Sequence, residues 1–300
     1  MSLFFALLLD AILGEPRWLW SRIPHPAVLM GRAVGWCDAR FNTGANRRAM
    51  GIFALAGLIG LAGMIGVIAD ALPIGWLWST LGAAILLAQR SLVQHVQAVA
   101  DALRYGTLPG RRAVAMIVGR DTGGMTEPEV ARAAIESAAE NLSDGVVAPA
   151  FWFLALGLPG ILIYKIVNTA DSMIGHRTAR HAQFGWAAAR LDDVLNWVPA
   201  RLTALLIALA HGAPQAWHIA RREAWRHRSP NAGWPEAAMA GVLGIALSGP
   251  RSYHGERKAF PFVNASGRHD PGPRDIDAAI GVLWRTWALM LGLVFALALF

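Results

Sequence analysis

Residues 51–69 read GIFALAGLIGLAGMIGVIA, a run without a single charged side chain. A helix needs about 20 mainly apolar residues to cross the hydrocarbon core of a bilayer, and this stretch supplies them. Small residues recur at every third position: Gly51, Ala54, Gly57, Gly60, Gly63, Gly66 and Ala69. That spacing predicts a membrane helix packed closely against a neighbour through its small face. Working outward, Leu72–Ala88 forms a second apolar run after a tip holding Asp70 and Pro73 but no Lys or Arg. The preceding arm carries Arg17, Arg22, Arg32, Arg40, Arg47 and Arg48. Cytoplasmic loops hold the excess of basic residues, so the arm is expected inside and the tip outside.

Composition extends this reading to the whole chain. Of 300 residues, 55% are hydrophobic and 16% charged, with 31 glycines besides. Soluble domains average about a quarter charged, and disordered chains are poor in apolar residues; both classes are excluded. The lone Cys37 excludes a disulfide scaffold. The net charge of +7 is carried almost wholly by arginine, the lysines being Lys165 and Lys258. The arginines are scattered over many short loops instead of forming one stripe, which argues against nucleic acid as a partner.

The other apolar segments are less regular. Gly145–Tyr164 contains Pro149 and Pro159, so a broken or kinked helix is expected. Leu202–Ala210 is short, Ala237–Gly249 suits a half-helix or re-entrant segment, and Thr286–Phe300 is apolar to its end. The start, MSLFFALLLDAILG, lacks a basic region and carries Asp10 within its apolar run, so it reads as a helix of the mature protein. The expected fold is all-α: a polytopic integral membrane protein with broken or re-entrant helices and helical cytoplasmic loops, residues 1–300 forming one membrane-embedded domain.

Polar islands interrupt the apolar runs. Gly119-Arg120-Asp121-Thr122-Gly123-Gly124 is a glycine turn beside a guanidinium, suited to an anion or to a structural ion pair. Thr126 and Glu129 make a capping box that starts a helix through Leu142. On it Glu136, Glu140 and Asp144 follow at four-residue steps along one face, with Arg132 one turn earlier as a compensating cation. The face suits a solvated Arg–Glu ladder or a carboxylate cluster for Mg2+. Lys165, Asn168, Asp171, Ser172 and Gly175 form a polar stripe after the proline-broken run, where ionisable groups are costly and mark function. Asp192-Asp193 and Asn196 precede Pro199 and Arg201, and Ser229–Glu236 (SPNAGWPE) leads into the next helix. The nine histidines show no HxxxH or HExxH spacing, which makes zinc an improbable ligand.

Several of these strings have a family resemblance. GRDT at 119–122, ESAAENLSDGVVAPAFWF at 136–153, YKIVNTADSMIGHR at 164–177, FGWAAARLDDVLNWVPARLTALL at 184–206 and SPNAGWPEAAMAG at 229–241 resemble the CobD/CbiB family of adenosylcobinamide-phosphate synthases. The opening D-x-x-x-G-E-P and Pro24-His25-Pro26 share the resemblance, with Glu15 where the family usually has Asp; residues 251–275 do not align.

The resemblance implies an ATP-dependent ligase of cobalamin biosynthesis. Such an enzyme joins a propionate of adenosylcobyric acid, a corrinoid, to (R)-1-amino-2-propanol or its O-phosphate (aminopropanol phosphate). With it come ATP and Mg2+, membrane lipid, other cobalamin-biosynthesis enzymes as partners, and an inner-membrane location with the site facing the cytoplasm. Carried onto this chain, Glu136, Glu140, Asp171, Asp192 and Asp193 become candidate metal ligands. Glu140, Asp144, Lys165, Asp171 and Asp192 become candidate catalytic residues. Arg120, Asp121, Asn141, Asn168, Ser172, Arg177, Arg201 and Asn231 become candidate substrate contacts. Without the resemblance, the same residues also suit a Mg2+-dependent transferase acting on a polyprenyl or lipid phosphate, or a transporter or sensor.

Overall fold

The computed structural model describes residues 1–253 and 255–299, and it is predominantly helical. The chain runs through α1 (Ser2–Leu13), α2 (Arg17–Trp20), α3 (Pro26–Phe41), α4 (Arg47–Ala71) and α5 (Gly75–Leu86). Next come α6 (Gln89–Arg104), α7 (Thr107–Val114) and α8 (Glu127–Leu142). A π-helical turn, Ser143–Val147, leads into α9 (Ala148–Ile174), α10 (Trp186–Leu195), α11 (Trp197–Ala210), α12 (Pro214–Glu223) and α13 (Gly233–Leu243). Short strands β1 (Leu247–Ser248), β2 (Arg251–Tyr253), β3 (Glu256–Lys258) and β4 (Phe262–Val263) precede α14 (Pro273–Leu297). Three helical stretches, 47–71, 127–174 and 273–297, are long and apolar enough to cross a membrane; α10 and α11, bent by 42°, would make a fourth if taken together.

The helices group into two compact units. The first holds Met1–Ala88 and Ala148–Asn196, the second Gln89–Val147 and Trp197–Phe300.

In the first unit α4 packs on α9 and α10. Its inward face is small, Gly51, Leu55, Ala62 and Gly66 being buried, while Phe53, Met64, Val67 and Ile68 point outward. This is the arrangement expected where lipid contributes no hydrophobic force between helices and backbones must approach closely. A Cβ on Gly51 would collide with the Phe184 carbonyl, and one on Gly66 would lie 2.6 Å from the Pro159 backbone. Gly57 and Gly60 have nothing within 4 Å. The seam therefore uses only part of the small-residue repeat.

Pro159 is reached after a break at Gly157, whose φ of 66° and ψ of −153° suit a residue without a side chain. The expected break in 145–164 thus falls at Gly157–Pro159. Pro149 follows directly on the π turn Ser143–Val147, and the helix runs on through it without a break. Leu72–Ala88 was expected to return across the membrane, but α5 has only 12 residues. At 1.5 Å per residue that is far short of a ~30 Å hydrocarbon core.

In the second unit α6 and α14 flank α8, and α12 and α13 pack on each other and on α11. The capping box predicted at Thr126 is present, the Thr126 N–H donating to Glu129 Oε2 at 2.8 Å. The half-helix expected over 237–249 ends early at Leu243. Gly244 turns left-handed there (φ 65°), and residues 247–248 pair with β4 instead. Within residues 251–275, β2 and β3 form an antiparallel hairpin; His254, and Phe300 of the expected C-terminal segment, lie outside the described residues.

Gly66→Val is expected to destabilise the protein by about 1–3 kcal/mol through overpacking against Pro159. Gly60→Ala should change stability by less than about 1 kcal/mol. Thermal unfolding in one detergent compares them, and equal losses would show that the seam is misplaced.

Candidate functional site

Glu136 is the centre of the second unit's polar interior. It projects from the middle of α8 with its side chain 4% exposed. Oε2 receives Arg120 Nη2 at 2.7 Å and lies 3.4 Å from Arg251 Nη1, while Oε1 accepts the Ser248 N–H at 2.7 Å. The GRDTGG turn, helix α8 and the strand region are thereby tied to one carboxylate. Arg132 was expected to compensate the acidic face, but the direct cations are Arg120 and Arg251. Arg132 instead donates through Nε to the Ala246 carbonyl (3.2 Å) and through Nη2 to the His269 carbonyl (2.8 Å), and its guanidinium lies over Phe262.

Asp121 anchors the hairpin: its N–H donates to the Ser252 carbonyl at 3.1 Å, and Oδ2 accepts the Gly255 N–H at 2.7 Å. Arg251 in turn donates to Ser248 Oγ at 2.6 Å. Ser248 has φ 61° and Gly249 φ 83°. A non-glycine residue held left-handed costs about 1–2 kcal/mol, and here the Glu136 and Arg251 contacts hold it. These groups surround a cavity of about 190 Å3 lined by Arg120, Arg132, Ser248, Arg251 and, toward the rim, Glu129 and Arg257.

Behind Glu136 lies a second buried acid, Glu236 of α13, whose Oε2 has no hydrogen-bond partner. Burial, then the negative charge of Glu136 and Glu140, holds its carboxyl well above the usual carboxylate range. The His227 imidazole, Nε2 3.6 Å from Glu236 Oε1, is pushed down to about 4 by burial and then by Arg251. Both shifts favour the uncharged forms, which sets this contact apart from the Arg–Glu136 ion pairs. In the same unit Arg201 and Asn231 meet, Nη1 to Oδ1 at 3.4 Å, with the guanidinium stacked on Trp197 and Trp234. Asn141 donates to the Ser137 carbonyl, Glu140 is exposed, and Asp144 stands in the π turn, a feature often found at functional positions.

The first unit carries the other expected residues. Asp192 is buried between two amides: Asn168 Nδ2 donates to Oδ1 at 3.2 Å and Asn196 Nδ2 to Oδ2 at 3.0 Å. Tyr164 donates to Asn196 Oδ1 at 3.0 Å, which completes a chain of hydrogen bonds from α9 to α10. Asp171 and Asp193 add negative charge around Asp192. A side chain at Gly175 would collide with the Asp171 carboxylate. Arg190 lies 3.8 Å from Asp193; Ser172 and Arg177 are exposed, and Lys165 is half-buried on the stripe. His25 accepts the Ala27 N–H through Nδ1 and so caps α3.

Among the described residues no three His, Cys, Asp or Glu side chains are arranged to hold a metal. Glu136, expected as a ligand, is occupied by arginines. Asp171 and Asp192 suit Mg2+ better, because that ion takes one or two carboxylates and completes its shell with water and phosphate, and the clustered negative charge favours a cation.

Sequence reasoning missed Arg251, Arg257, Ser248, Glu236, His227 and Tyr164. The first three lie in or beside the 251–275 loop, where the sequence offered no motif, although the family match reported below runs through it. Glu236 was visible as an acid in the first turn of a helix, with nothing to mark its burial.

A helical membrane-type protein with an arginine-lined pocket and a separate carboxylate–amide cluster is the class these features define. The CobD/Cbib protein family matches residues 3–283. Cobalamin biosynthesis protein CobD of Brucella suis biovar 1 is 52% identical, covering 99% of this chain and 96% of its own length. The proteins of the same name from a Sinorhizobium species and from Rhodobacter capsulatus are 48% and 46% identical; they cover 100% and 96% of this chain, and 98% and 95% of their own lengths. No solved structure matches. The chain belongs to the CobD/CbiB family, and its role lies in cobalamin biosynthesis.

The neutral pair makes a pH prediction. Ordinary values are 4.5 for Glu and 6.5 for His. Between these values the unfolded chain carries His227 charged and Glu236 ionised, and the folded chain carries both neutral, so each state binds one proton and the pair adds no slope. Above 6.5 the unfolded chain has released both protons, so stability should fall with rising pH for as long as the folded Glu236 keeps its own. Glu236→Gln should abolish that fall. It should also expose the rise from pH 4 to 6.5 due to His227. Unfolding midpoints across pH 4–8.5 check both, and unchanged profiles would refute a neutral Glu236.

Proposed function

We propose that this chain catalyses the ATP-dependent amide ligation of (R)-1-amino-2-propanol, or its O-phosphate, to a propionate of adenosylcobyric acid. The observation that carries this reading is the family match along nearly the whole chain. The chemistry fits the two clusters. A propionate oxygen attacks the γ-phosphorus of ATP, giving an acyl phosphate and ADP. The amine then attacks the acyl carbon: a C–N bond forms, the C–O bond to phosphate breaks, phosphate leaves, and the amine proton passes to a carboxylate.

Arginines supply charge-assisted, bidentate contacts to phosphate and carboxylate oxygens. Arg120 and Arg201 offer such groups in the second unit, Lys165 and Arg177 in the first. Asp171 and Asp192 would hold Mg2+, which when bound neutralises ATP phosphates. Asn168 and Asn196 fix the Asp192 carboxylate in one orientation, so no side-chain rotation is needed when it accepts a proton or a cation. Asn141, Ser172 and Asn231 would orient substrate in this reading. ATP as co-substrate puts the site on the cytoplasmic side of the inner membrane, within reach of other cobalamin-biosynthesis enzymes.

The test is amide formation by the purified full chain in detergent, given adenosylcobyric acid, ATP, Mg2+ and either amine, with product followed by mass. Asp171→Asn and Asp192→Asn are expected to lower turnover by about a hundredfold or more while leaving the helix content and membrane insertion of the chain unchanged. Product formed without ATP, or near-normal turnover in both variants, would sink the assignment.

A further inference from the structure

The cavity of the second unit is lined by more guanidiniums than carboxylates. Three guanidiniums line the cavity. Arg120 has its side chain 8% exposed and Arg251 11%, and Arg132 is also buried. Glu136 is the buried carboxylate that meets Arg120 and Arg251, and Asp121 also lines the cavity from an exposed position, its Oδ2 accepting the Gly255 N–H. Glu129 at the rim is taken up by Arg257 at 3.1 Å and by the Thr126 N–H. Moving a charge out of water costs several kcal/mol unless a counter-charge accompanies it, so three buried guanidiniums facing Glu136 and the exposed Asp121 leave a net positive wall that suits an anionic guest.

Size narrows the guest further. Clefts for drug-sized ligands span about 300–1,000 Å3, whereas this cavity is about 190 Å3. A corrin ring or a whole nucleotide does not fit inside it, but a single tetrahedral oxyanion does. The wall is also fixed in advance. Ser248 is locked left-handed by Glu136 and Arg251, and Arg132 is oriented by the Ala246 and His269 carbonyls. These contacts hold the guanidiniums before any guest arrives, which lowers the ordering cost of binding.

We propose that the cavity bounded by Arg120, Arg132 and Arg251 is a binding site for one phosphate group, delivered by a substrate whose remainder lies outside it. The site rests on the proposed ligase reading only for which substrate carries that phosphate: the small amino-alcohol phosphate or the terminal phosphate of ATP.

The experiment is equilibrium binding to the full chain in detergent or nanodiscs without turnover, read by calorimetry and by the unfolding midpoint. Inorganic phosphate is the probe, at constant ionic strength against chloride. Saturable binding at one site is expected. Arg251→Gln should weaken it about tenfold or more, the scale of a lost charge-assisted contact. Because Arg251 also holds Glu136, that variant can lose structure. Arg257→Ala, at a position 67% exposed, keeps the fold and should weaken binding two- to fivefold at low salt, with the effect fading at high salt.

Competition then identifies the source. Displacement of phosphate by aminopropanol phosphate, but not by the free amine, assigns the site to the small phosphomonoester. Displacement by a non-hydrolysable ATP analogue assigns it to the nucleotide. No stabilisation beyond that of chloride, wild-type affinity in both variants, or displacement by adenosylcobyric acid alone would overturn the site. A chain that binds phosphate as described yet forms no amide would overturn the ligase reading and leave the site standing.

Discussion

A buried carboxylate that collects two guanidiniums and a backbone N–H is the constraint around which the second unit is organised. Glu136 cannot be moved without releasing Arg120 from the GRDTGG turn and Arg251 from the hairpin, and without freeing Ser248 from a backbone conformation it would not otherwise keep. Breaking such a pair by removing one partner is far more costly than the pair is worth in itself, because the survivor is left charged and dry. The neutrality of Glu236 follows from the same centre: with Glu136 ionised nearby, a second buried acid keeps its proton.

The first unit is governed by a different economy, that of space. Its α4–α9 seam has no room for a Cβ at Gly51 or Gly66, and the break at Gly157 brings Pro159 against that seam. Below the break α9 continues with Asn168 and Asp171, and Tyr164 and Asn168 reach Asn196 and Asp192 of α10. Close packing and the polar chain are consecutive turns of one helix, so the position of the carboxylate is set by helix–helix contact.

Much of this could be read from residue patterns. The α4 span, the capping box at Thr126 and the broken run before Lys165 are local or periodic signals, and each survives in three dimensions. What escaped was non-local. The partner of Glu136 was expected one turn away at Arg132, yet Arg251 arrives from 115 residues later, and no spacing rule connects them. The burial of Glu236 is likewise invisible in a helix start that looks ordinary. Leu72–Ala88 was apolar enough for a return crossing, but Ile74 and Gly75 spend residues on turning the chain and shorten the helix.

The two units are each assembled from separated stretches of chain, which has a consequence for biogenesis. During synthesis α4 is finished roughly ninety residues before Pro159, and well over a hundred before Phe184, the two groups against which Gly66 and Gly51 close. Until then the small face of α4 is exposed to whatever surrounds the nascent chain, while the intervening segment, including the Glu136 helix, is already emerging. The N-terminal portion must therefore wait in an incomplete state. Premature termination between residues 89 and 147 would release a fragment with an open seam, the kind of surface on which membrane quality control acts.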